Sequence, residues 1–132
     1  MAKKRLVKIN AYDGEEKGTK VFVLSMNVAN MTIYDKAKAV TKFISRETRV
    51  LETAIDNYLR QLLRFNGISI DDGSDYALEK ALFQFENKGK QIAIIDRYKQ
   101  IGNERIIGES DNKMTIIEED DIISCAIEVK VL

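Results

Sequence analysis

The residues whose types and spacing carry most chemistry stand late in the chain, where Glu128 and Lys130 lie two apart in Ile127-Glu128-Val129-Lys130. Side chains two apart on a strand share a face. A carboxylate able to ligate Mg²⁺ would then sit beside an ammonium able to stabilise phosphoryl charge. Asp71-Asp72-Gly73-Ser74-Asp75 also gathers carboxylates, but it lacks the register that ends a calcium loop in a bidentate Glu, so it reads as a turn ending in a helix cap. The 132 residues include no histidine, which removes the commonest proton shuttle and the commonest transition-metal ligand. Cys125 is the sole thiol; it cannot close an internal disulfide, and the alternation around it predicts a small buried hydrophobe on the inward face of a strand. Neither Gly14 and Gly18 nor Gly102 and Gly108 are followed by the Gly-Lys-Ser/Thr of a phosphate-binding loop.

The Glu128-x-Lys130 pair resembles the E-x-K element of the PD-(D/E)xK nucleases, over four residues. That resemblance implies a Mg²⁺-dependent nuclease in which Asp111, Asp120 or Asp121 supplies the upstream ligand. No Pro-Asp pair precedes the element, as that family's pattern would have it. We therefore assign no catalytic residue, no metal ligand and no cofactor from the sequence.

Charge is the stronger signal. The net charge is zero, yet residues 1–66 carry 13 Lys and Arg against 7 Asp and Glu, while residues 67–132 carry 8 against 14. At about 100° per residue, Arg46, Arg49, Arg60 and Arg64 fall on one side of a helix, with Thr53 and Asn57 between them, roughly opposite Leu51, Ile55, Tyr58 and Leu62. Such a row would run about 27 Å. With the N-terminal arm Lys3, Lys4, Arg5 and Lys8, it is the candidate surface for a protein partner or for phosphates. The acidic set Glu118, Glu119, Asp120 and Asp121 is a complement to it on a second copy of the chain.

The elements that would position these groups follow from periodicity. Leu6–Ala11 and Val21–Val28 flank a polar loop from Asp13 to Thr19 and predict an opening hairpin, with the wholly apolar Val21–Leu24 in an interior strand. Thr32 starts a helix whose face is Ile33, Ala37, Val40 and Ile44; Ser45 is a candidate cap for a second helix that stops at Gly67, and one kinked helix is the alternative. Leu78, Ala81, Leu82 and Phe85 mark a further helix ending near Gly89. Strands are expected at 92–101 and 105–109, joined through Gly102-Asn103, then at 115–117 and 122–132. Tyr34, Tyr58 and Tyr76 are expected at the edge of the core. The longest apolar run, Val21–Leu24, is far below the roughly 20 residues of a membrane helix.

These readings predict a single α+β domain over residues 1–132, a largely antiparallel sheet made of an N-terminal hairpin and a C-terminal meander, with two or three helices on one face. The expected function is that of a non-enzymatic binding or assembly protein in the cytoplasm, self-associating as a homo-oligomer, with a protein partner and without a membrane partner. Small proteins of this composition include accessory or structural components of phages and mobile elements, and such a component is the expected role. The alternative is nucleic-acid binding through the arginine row and the basic arm.

Overall fold

A computed structural model describes residues 7–14, 18–100 and 104–132. Lys3, Lys4 and Arg5 of the expected basic arm and the expected Gly102-Asn103 turn lie outside the described residues, whereas Lys8 is described and exposed. Strands β1 (Val7–Asp13) and β2 (Thr19–Asn27) form the opening hairpin, paired antiparallel without a register shift from Val7↔Met26 to Asp13↔Lys20. A helical stretch then runs unbroken over residues 33–65 as α1 (Ile33–Lys42), a π-turn (Phe43–Glu47) and α2 (Thr48–Phe65). With α3 (Asp75–Asn87), the described residues form one long helix and one short one. Thr32 Oγ1 accepts from Asp35 N and Ser74 Oγ accepts from Ala77 N, each satisfying an orphan amide at a helix start. At the end of α2, Gly67 takes φ +79° and lets Ile68 N return to Leu63 O, closing the helix as its position in the sequence predicts.

The remaining strands are β3 (Ile92–Asp96), β4 (Arg105–Glu109), β5 (Thr115–Glu119) and β6 (Ile122–Val131), with a 3₁₀ turn (Arg97–Gln100) after β3. The sheet is antiparallel with order β1-β2-β6-β5-β4. β6 is its spine: β2 pairs along one side of it, while β3 and β5 share the other side end to end. This corrects the expected 92–109 hairpin, since β3 pairs with β6 and β4 with β5. Asp96 closes the junction where β3 leaves β6 and β5 begins. Its Oδ2 accepts from Thr115 N at 2.7 Å and its Oδ1 from Tyr98 N at 3.2 Å, so one carboxylate replaces a backbone partner where the ladder changes strands.

Alternation along β6 sends Ile123, Cys125, Ile127 and Val129 toward the helices, where they meet Phe22, Leu24, Met26, Phe43, Leu51, Ile55, Leu59, Leu63 and Phe85 in one core. The other face is covered in part by the 3₁₀ turn, whose Tyr98 hydroxyl lies 3.1 Å from Ser124 Oγ and whose Arg97 pairs with Glu128 at 2.8 Å. The π-turn inserts an extra residue into the helix and so rotates α1 relative to α2. Phe43 is wholly buried there, whereas α1 buries no residue completely. Ile33 and Ala37 are exposed rather than inward; Ala39, Val40 and the half-buried Lys36 take that side, and Ser45 lies inside the turn rather than capping a helix.

Candidate functional site

Among the described residues three strand edges are free of a neighbour, and they differ. β4 is five residues long, carries Arg105 and Glu109 at its ends and is bent by a register shift between Ile106 and Gly108. Bulges and charges of this kind blunt an edge. β3 is also five residues long, and its margin forms one wall of a cleft of about 340 Å³ lined with Leu59, Leu82, Phe85 and Ile94. β1 is seven residues long, has no proline and no bulge, and leaves Ile9 36% and Tyr12 50% exposed.

Backbone parity fixes what β1 offers. Gly14 N donates to Thr19 O at 3.1 Å; in an antiparallel ladder bonded pairs alternate, so Tyr12, Asn10 and Lys8 also turn their N–H and C=O toward β2. Val7, Ile9, Ala11 and Asp13 therefore present theirs outward. Asp13 is itself neutralised by Lys20 at 3.2 Å.

The arginine row divides. Arg60 is half-buried and committed: its Nη1 donates to Asp72 O at 3.1 Å, and its Nη2 donates to Gly73 O at 3.0 Å and Ser74 O at 3.1 Å. It binds the turn between α2 and α3, and its charge helps hold the Asp72 carboxyl below its ordinary range, after the larger effect of hydrogen bonds from Ser74. The buried face of α2 is Thr48, Leu51, Ile55, Leu59 and Leu63, rotated about 50° from the predicted one toward Arg60. That rotation moves Arg60 from the outer side to the rim. Arg46, Arg49 and Arg64 are exposed and make no ion pair among the described residues.

Arg46 instead joins a row the sequence reading did not assemble. Tyr34, Lys38, Lys42 and Arg46, four apart along α1 and the π-turn, line one shallow depression with Ala37, Thr41 and Ser45. Lys38 Nζ sits 4.5 Å from the centre of the Tyr34 ring, which is 68% exposed. The four-residue spacing was there to be read. Tyr34 and Tyr76 are exposed rather than at the core edge; only Tyr58 is half-buried, its ring edge-on to Phe22 with centroids 5.4 Å apart.

The acidic set is the β5–β6 turn. Glu118 is drawn inward, paired with Lys36 at 2.7 Å and Arg105 at 3.9 Å, which ties α1 to the sheet. Glu119, Asp120 and Asp121 are exposed, with Asp120 at φ +52° in the turn. Glu128 and Lys130 do share the face of β6 away from the helices, but Glu128 is taken by Arg97. Asp121 stands seven residues back along the same strand and its turn, roughly 23 Å away, so these carboxylates do not converge. Among the described residues no three acidic or thiol groups are placed to hold a metal ion, and no helix is long and apolar enough to cross a membrane. Cys125 is wholly buried, and burial pushes its thiol up to about 12, helped by the charge of Asp96. Comparison with protein-family models, with curated proteins and with solved structures finds no match to this chain.

Proposed function

We propose that the protein is a non-enzymatic binding or assembly component that self-associates through an exposed edge of its sheet. The observation that carries this reading is the β1 edge: seven regularly paired residues, without proline or bulge and uncovered among the described residues, with apolar side chains half exposed beside it. Such an edge presents unmet backbone donors and acceptors that another strand satisfies. Native mass measured by sedimentation or light scattering tests it. An oligomer is expected, and a strictly monomeric particle at high protein concentration overturns it.

A second reading, nucleic-acid binding, is favoured by the Tyr34, Lys38, Lys42 and Arg46 row. Cations at helical spacing beside an exposed ring suit a single strand, whose phosphates meet the cations and whose bases stack on the aromatic. Arg46 belongs to both this row and the predicted arginine stripe, whereas Arg60 is engaged within the fold. Fluorescence anisotropy with a labelled oligonucleotide tests the reading; no binding at low salt ends it.

A further inference from the structure

Resting on the assembly reading, we infer that the occupant of the β1 edge is the β1 edge of a second copy, paired antiparallel about a two-fold axis at Asn10. The outward groups belong to Val7, Ile9, Ala11 and Asp13. A bonded pair across the new interface must therefore join one of these to another of them. Centring the axis on Asn10 joins Val7 to the partner's Asp13 and Ile9 to the partner's Ala11, and reciprocally. Every outward N–H and C=O of the strand then finds a partner. Moving the centre to Ile9 or to Ala11 leaves Asp13 or Val7 without a partner among the described residues, so this register is the best satisfied of those the described edge can make.

The side chains agree with it. On the helix side Ile9 lies across from the partner's Ala11, extending the apolar surface that begins with Val7. On the other side Lys8 lies across from the partner's Tyr12, a cation facing a half-exposed ring. Asn10 meets the partner's Asn10 on the axis, where two amides exchange hydrogen bonds. No like charges face each other. More distant registers do worse, since a centre at Lys8 or Asp13 sets ammonium against ammonium or carboxylate against carboxylate. The isologous contact closes at two chains and joins the two sheets into one, with both helix layers on the same side.

The test uses the parity. Asn10 forms a non-bonded pair across the proposed interface, where Cα atoms approach to about 4.5 Å and cross-strand disulfides are feasible. Asn10→Cys is expected to cross-link chains into dimers under mild oxidation at least roughly tenfold faster than Lys8→Cys or Tyr12→Cys. The buried Cys125 does not compete. Ala11→Pro removes an outward N–H and leaves the pairing with β2 whole, so it is expected to give a monomer with unchanged circular dichroism. Should Ala11→Pro fail to fold, the cross-linking comparison decides alone. A wild-type oligomer in which Asn10→Cys cross-links no faster than its neighbours overturns the register and leaves the assembly reading standing. A monomeric wild type overturns both.

Discussion

Arg60 shows how one side chain can satisfy a sequence pattern and serve a different end. Its spacing from Arg46, Arg49 and Arg64 was legible. Its three backbone acceptors at 72–74 were not, because they depend on where the following turn folds back. Arg60→Ala is expected to destabilise the protein by about 1–3 kcal/mol in urea unfolding, as three carbonyls lose a charged donor, with Arg60→Lys recovering little because an ammonium lacks the planar fork. Arg64→Ala is expected to change stability by less than about 0.5 kcal/mol. Cys125, in contrast, lies where alternation placed it. Its thiol, raised from 9.0 to about 12 by burial, ionises more readily in the unfolded chain than in the folded one. Stability is therefore fully present below pH 9 and falls as the pH climbs toward 12, by up to ~1.4 kcal/mol per pH unit. Cys125→Ala is expected to flatten that alkaline slope in unfolding curves measured across the range. Tyr98, raised chiefly by burial, contributes in the same direction, and Tyr98→Phe is expected to remove its share.

At the scale of elements, local signals were read well and partners less so. Thr32, Ser74 and Gly67 act where they stand in the sequence, because caps and left-handed closures are decided within four residues. The π-turn was not legible: apolar residues before and after it fit either a kink or a break, and only the burial of Phe43 together with Leu51 decides the phase. The partner of β3 was hidden for a related reason. The continuous apolar run Ile92–Ile95 reads the same against any neighbour, and proximity in the chain favoured the next strand. What selects β6 is that the long last strand outruns β5, leaving Ile127–Val131 unpaired on that side until β3 fills the gap. Asp96 makes this joint hold. Asp96→Ala strands the N–H of Thr115, a residue only 2% exposed, and is expected to cost about 1–3 kcal/mol. Asp96→Asn keeps one acceptor and is expected to fall between it and wild type, with the denaturant slope unchanged.

For the whole molecule, the split between a basic first half and an acidic second half survives only in part. β2 and β6 come from opposite halves and lie side by side, and Lys36 meets Glu118 across the helix–sheet boundary. What remains is local: the Tyr34–Arg46 row on the helix layer, remote in sequence from the β1 edge. A two-fold axis at Asn10 runs perpendicular to the sheet and so sets the rows of both copies on the same side. A single polyanion can then engage two rows at once, and the second engagement is intramolecular. For nucleic-acid binding through Lys38, Lys42 and Arg46, three phosphate contacts on a single strand predict roughly a twentyfold loss of affinity per row between 50 and 200 mM salt. Lys42→Glu with Arg46→Glu is expected to abolish binding, while Arg64→Glu, about 27 Å along the helix from Arg46, leaves it within roughly twofold. The decisive comparison is oligonucleotide length. With an intact edge, a long strand is expected to bind at least tenfold more tightly per chain than a short one; with Ala11→Pro that advantage disappears while the short-strand affinity stays the same. A length advantage that persists in the monomeric variant would show that the two rows are not brought together by β1.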